Sequence, residues 1–229
     1  MSYNLCYNEN FSEEVFTITS PKLASENVYN SLKDKILQGE YLPGVHLVES
    51  ELLKLYPVSR TTMREALRKL VDDEIAEQLP NKGIRVRRIS LKELQEYYSI
   101  MEYLERLVVR LVAEKHGNGI LHSLRDLLNL DKEAILSGNF ELHKEYVLKF
   151  RMCLAQYTDN EPLIKYIKRI HLVTGIYYAS NPLNINMETS HAAHEKIFNA
   201  IVSGDVVLAE STMADLIRHA IDIISTSDL

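Results

Sequence analysis

Residues 57–70 read PVSRTTMREALRKL, with arginines at 60, 64 and 68 and hydroxyl side chains at 59, 61 and 62. On a helix a spacing of four places side chains on one face. Guanidinium groups in such a row either solvate an exposed face or meet a polyanion. An arginine fork can hold guanine O6 and N7, or a phosphate, with two N–H groups at once. Ser59 is a good cap for a helix starting at Arg60. The free N–H groups and dipole of such a start attract phosphate. Ser59, Arg60, Thr61, Thr62 and Arg64 are therefore candidate contacts to duplex DNA. Arg68 lies farther along and meets the backbone, or Asp72 at i+4. A second basic set follows at 82–87: Lys82 and Gly83 at a turn, then Arg85 and Arg87 on the solvent face of a strand, near phosphates.

Other chemistry is thinly represented. Two cysteines, Cys6 and Cys153, form neither a disulfide framework nor a CxxC metal spacing, which fits a reducing cytoplasm. Cys153 has no activating constellation beyond Arg151, so no nucleophile–base pair points to an enzyme. HisAlaAlaHis at 191–194 puts two imidazoles on one helical face. Joined by His219 they could form a metal set, but without a carboxylate it is a weak one.

The elements that must position these residues follow from periodicity. A helix is expected from about 23 to 38, with Val28, Leu32 and Ile36 inward and Gly39 as C-cap. EYLPG at 40–44 makes a turn, and a short helix over 49–56 buries Leu52, Leu53 and Leu55 until Pro57 stops it. The third helix carries Met63, Leu67, Leu70 and Val71 as its apolar stripe. Residues 75–79 and 84–88 read as strands around a PNKG turn. Three small helices and a hairpin make a winged helix-turn-helix, a unit that offers the start of its last helix to the major groove. Its hairpin tip, Lys82–Gly83, can enter the adjacent minor groove.

A capping box at Ser90–Glu93 then opens a long helix to about 116, with Leu94, Met101, Leu104, Val108 and Leu111 inward. Further helices are expected at 119–136, 140–158, 161–180, 187–203 and 206–225. SGN at 137–139 and SGD at 203–205 each pair a glycine stop with an Asn or Asp start. The fold class is thus mainly α: residues 1–20 a tail in which FTIT at 16–19 could be an extended arm, 21–89 a winged helix-turn-helix, and 90–229 an all-α bundle whose facing helices can enclose a ligand.

The 229 residues carry a formal charge of −6, unevenly spread. Residues 21–90 hold 12 basic and 10 acidic groups, and residues 91–229 hold 14 and 19, so the two parts meet different partners. No stretch approaches the roughly 18–20 apolar residues that cross a bilayer. The first ten residues lack a basic start with an apolar run behind it, so no signal peptide is expected.

HLVESELL at 46–53, VSRTTMREALRKL at 58–70 and PNKGIRVR at 80–87 resemble the GntR family of bacterial transcription regulators over about 23–90. More loosely, LE at 104–105, NEPL at 160–163 and HEKIFNAIVSGD at 194–205 resemble the FadR-type effector domain, called FCD. The resemblance implies a cytoplasmic homodimer that binds a palindromic operator and releases or reshapes it when a small metabolite binds. It implies DNA contacts at Arg60, Thr61, Thr62, Arg64, Lys82 and Gly83. Where many relatives place an arginine at the start of the second helix, Ser50 stands here.

Many FCD domains hold a divalent metal with one Asp and three His. Those positions fall here on Val147, Arg151, His194 and Leu216, and an arginine of the first effector helix falls on Met101. One ligand of four is kept, so no metal of this type is expected. Arg151 could instead grip a carboxylate or phosphate, with His194 beside it and Tyr97, Tyr98 or Tyr177 adding hydroxyls. The alternative is that Arg151 pairs with a glutamate such as Glu102 or Glu105 in an apolar pocket. The regulator would then have a hydrophobic effector or none, and be constitutive or controlled by a protein partner.

Overall fold

The computed structural model describes residues 21–180 and 186–226, so the expected tail and its arm lie outside the described residues. The chain folds as two compact units. One holds residues 21–94 and 169–180, the other Gln95–Lys168 and residues 186–226.

The first unit begins with α1 (Pro21–Leu37), α2 (Glu49–Leu55) and α3 (Arg60–Asp72), followed by β1 (Ala76–Leu79) and β2 (Gly83–Val86). Val28, Leu32 and Ile36 of α1 meet Met63, Leu67 and Leu70 of α3, all six almost fully buried. Each such side chain contributes about 1.5–3 kcal/mol by leaving water. Pro57 follows α2 as expected, but Leu55 is 65% exposed. Seven residues form barely two turns, so only the Leu52 side can face α3.

The strands pair antiparallel, Ala76 opposite Val86 and Leu79 opposite Gly83. The turn between them needs left-handed backbone at Asn81 (φ 58°) and Gly83 (φ 79°), which only asparagine and glycine adopt readily. The preceding loop clasps the hairpin. Leu47 N–H donates to Ile84 O at 2.9 Å, and Val86 N–H to Val45 O at 2.9 Å. The wing is therefore fixed to the loop between α1 and α2 by main chain, whatever its side chains do.

The second unit is built from α4 (Leu91–Ala113), α5 (Leu121–Leu136), α6 (Phe140–Tyr157), α7 (Glu161–Ser180), α8 (Met187–Ser203) and α9 (Val206–Thr226); α4 begins in the first unit and α7 ends there. Ser90 Oγ caps α4 by accepting from Glu93 N–H at 3.2 Å, while the Glu93 carboxylate turns to Arg87. At both SG(N/D) junctions the glycine is left-handed and the next side chain caps: Asn139 for Leu142 N–H, Asp205 for Leu208 N–H. Helices α5 and α6 pack together, and α8 lies against α5, α6 and α9. No described helix is long and apolar enough to cross a membrane.

Candidate functional site

The start of α3 is built as its sequence requires. Ser59 has extended backbone, and its Oγ accepts from Thr62 N–H at 3.1 Å. Arg60 and Thr61 are exposed, and the side chains of Arg64 and Arg68 are 68% and 84% exposed. Thr62 departs from the expected contact set: it is buried at 6% and its hydroxyl pairs with Ser59 Oγ at 2.9 Å. It serves the cap and presents nothing to a ligand. Lys69 also turns away, pairing with Glu26 and lying 4.2 Å over the Tyr29 ring. Arg68 approaches Asp72 at only 3.9 Å.

Two partners of the basic residues were not legible as such. Arg64 Nε donates to Glu49 Oε2 at 2.7 Å, and Arg85 Nε to Glu77 Oε1 at 2.8 Å. Ser50 is exposed at the start of α2, and Lys82 and Gly83 are exposed at the hairpin tip, where a Cβ on Gly83 would meet open space. Arg87 corrects the expectation for the wing. It bonds Glu74 at 3.0 Å and also Glu93, its side chain is 21% exposed, and it braces the root of the hairpin instead of facing outward. β2 ends at Val86, so strand alternation no longer governs residue 87.

Within the helical unit, Arg151 of α6 lies 3.3 Å from Glu105 of α4, which is fully buried, and its Nη2 is 3.7 Å from Met213 Sδ of α9. The guanidinium thus meets the glutamate partner that competed with anion binding. His194 of α8 is buried at 2%, donates Nδ1–H to Ser190 O at 2.8 Å and sits edge-on to Phe150. Arg151 makes its ion pair with Glu105 through Nε, whereas His194 Nε2 and Thr212 Oγ1 are buried with no hydrogen-bond partner among the described residues. Met101 is buried, and Val147 and Leu216 are half-buried.

Comparison with known proteins shows the family of the chain. A model described as bacterial regulatory proteins, gntR family, matches residues 24–86, and an FCD domain model matches residues 96–219, more than half of the chain. The chain belongs to the GntR family, with an FCD domain. It is 27% identical to the HTH-type transcriptional regulator YdhC of Bacillus subtilis, over 81% of this chain and 84% of that one. It is 23% identical to the HTH-type transcriptional repressor GlaR of Escherichia coli, over 88% and 96%. The solved structure of E. coli McbR/YncC superposes with a TM-score of 0.76 at 22% identity, covering 93% of this chain and all of that one, and so shares the fold. The family is one of DNA-binding transcription regulators, not of enzymes.

The FCD domain here fits a metal poorly at the positions its family uses. Val147 and Leu216 offer no donor, Arg151 brings a positive charge, and His194 stands alone. Of the three histidines that could regroup, His191 gives its Nδ1 to Asp131 at 2.7 Å, His219 is exposed and His194 is buried. Among the described residues no three His, Cys, Asp or Glu side chains are grouped to hold a metal ion.

His194 carries a pH signature. Burial, and secondarily the Arg151 charge, push its imidazole down to about 4. Its ordinary value is roughly 6.5, so between these limits the unfolded chain binds the extra proton. Stability is therefore complete above pH 6.5 and falls as the pH drops towards 4, by about 3 kcal/mol. Thermal melts between pH 4.5 and 7 should show this slope, and His194→Gln should flatten it. An equal slope in the variant would remove His194 as its source.

Proposed function

We propose that the chain is a cytoplasmic, homodimeric regulator that reads an inverted-repeat operator. The start of α3 enters the major groove, and the Lys82–Gly83 tip meets the adjacent minor groove. The observation that carries this is the exposed, capped start of α3, with Arg60, Thr61 and Arg64 on one open face. Arg68 and Arg85 serve phosphates on either side.

A second copy of the chain is the fitting occupant for one face of the helical unit. Ile100, Tyr103 and Leu107 of α4 are 52%, 70% and 37% exposed, at helical spacing. Glu102, Arg106 and Arg110 of α4 and Glu210, Asp215 and Arg218 of α9 lie around this stripe, equal in both signs. A shallow cavity of about 250 Å³ touches Tyr103 and Leu107 of the stripe, and another of about 240 Å³ lies beside it between Arg106 and α9. Such a face complements itself, as a twofold interface requires.

An effector site in the helical unit is supported by the two unpartnered polar atoms, His194 Nε2 and Thr212 Oγ1, since buried polar groups are normally satisfied. A small polar metabolite with one group for Thr212 Oγ1 and a hydroxyl for His194 Nε2 would satisfy both, at the part of the unit where Met101, Val147 and Leu216 take the positions that the family gives to its effector. Glu105 already balances Arg151, which favours such a ligand over a strongly charged anion. The same pairing supports the second reading, a regulator without a small-molecule effector.

Selection from a pool of random duplexes tests the main claim. The full chain should enrich an inverted repeat whose half-sites lie about one helical turn apart, or a multiple of it. A single unrepeated site would defeat the dimer, and absence of enrichment would defeat the DNA reading.

A further inference from the structure

Glu49 is the first residue of α2, and its carboxylate sits where the recognition surface should be basic. Its Oε2 accepts from Arg64 Nε at 2.7 Å. The Glu49 side chain is 27% exposed, the Arg64 side chain 68%. An exposed ion pair adds little to stability, and a carboxylate near DNA repels phosphate. Stability and bulk electrostatics therefore both leave this pair without a purpose.

We propose that Glu49 is a positioning residue that sets base specificity through Arg64. The inference rests on the reading of α3 as the recognition helix. Arginine can grip guanine through Nε and one Nη, or end-on through both Nη groups. With Nε held by Glu49, the end-on fork remains. A free arginine samples many rotamers and loses that freedom on binding; one already tethered loses less. The tether also keeps Arg64 off the nearest phosphate, where it would bind every sequence equally well. Glu49 thus sacrifices general affinity and gains discrimination at one base pair in each half-site.

Two variants separate charge from tether. Glu49→Ala removes both. Glu49→Gln keeps an acceptor for Arg64 Nε and removes only the charge. Each is run with the wild-type chain through random-duplex selection, followed by binding of the selected duplex, its single-base-pair variants and an unrelated duplex. In Glu49→Ala the unrelated duplex should bind more tightly than in wild type. Discrimination at the base pair that Arg64 reads should fall about tenfold, inside the range of a bidentate guanine contact. Glu49→Gln should also bind the unrelated duplex more tightly, yet keep most of the discrimination. Melting temperatures should match wild type. In an Arg64→Ala background Glu49→Ala should change discrimination no further. Equal gains on all duplexes with discrimination intact would overturn the proposal and leave Glu49 a bare charge. Selectively tighter binding of the best duplex in Glu49→Ala would also overturn it, because Glu49 would then be masking Arg64. If the wild-type chain selects no duplex, the DNA reading itself fails; the variants are informative once it selects one.

Discussion

The double variant Arg60→Ala, Arg64→Ala should bind all duplexes alike. Each bidentate arginine–guanine contact carries about 1–3 kcal/mol of discrimination. Both side chains are exposed on the first two turns of α3, and an inverted repeat uses each twice. The four contacts together amount to roughly 4–12 kcal/mol, as large as the typical gap of about 4–10 kcal/mol between specific and non-specific binding. Removing them should erase that gap. General affinity should persist, because the exposed Lys82 and Arg68 remain available to phosphates and the α3 dipole is unchanged. Neither arginine supports the fold: Met63, Leu67 and Leu70 on the opposite stripe are buried without them, so the melting temperature should hold. The check is a binding isotherm on the selected duplex and on a scrambled one. A variant that still prefers the selected duplex by a hundredfold would remove residues 60 and 64 from the recognition surface.

The fold was largely legible because its signals are local. Apolar spacing of three and four, Ser59, Asn139 and Asp205 as caps, and the left-handed glycines at 138 and 204 each act within one turn of chain. The exposed face of α3 was legible for the same reason. What the sequence hid was long-range pairing. Nothing near Arg64 announces Glu49, fifteen residues back on another helix, and nothing near Arg87 announces Glu74. An arginine on a strand pattern reads as outward-facing until the acidic partner is seen. Thr62 failed in the other direction, since a threonine inside the capped turn can serve the cap rather than a ligand. The helical domain was harder to read, because α8 carries two histidines one turn apart with different roles: His194 faces Phe150 and Arg151, His191 faces Asp131.

Asp131 carries a signal in the sequence pattern itself. Leu124, Leu127, Leu128, Asp131 and Ala134 form the buried stripe of α5, so a carboxylate occupies a core register. His143 occupies one on α6, with Phe150 and Leu154. A charge in a core register implies a partner, and the structure supplies two. His143 Nδ1 lies 2.6 Å from Asp131 Oδ1, and His191 Nδ1 lies 2.7 Å from Oδ2, so one carboxylate ties α5 to both α6 and α8. Burial alone would push the Asp131 carboxyl up; hydrogen bonds from the two imidazoles outweigh it and hold the carboxyl below the usual carboxylate range.

Asp131→Ala should therefore cost the helical domain about 3–5 kcal/mol, the usual penalty for leaving buried polar partners unpaired. For a chain of this size that corresponds to roughly 6–20 °C in melting temperature. Asp131→Asn should cost less. Its amide oxygen can accept from one imidazole, while its NH2 requires the other ring to move its proton to Nε2 and accept at Nδ1. The wild-type contribution should be complete above pH 4, the ordinary range of a free aspartate, and should fade as acid protonates the folded carboxyl. This lies below the His194 window, so acid should weaken the domain in two steps, and Asp131→Ala should abolish only the lower one. Melting curves of the three proteins between pH 3 and 7 make the test. If Asp131→Ala melts within about 2 °C of wild type, a shift of less than 1 kcal/mol, the carboxylate is not the tie between these helices.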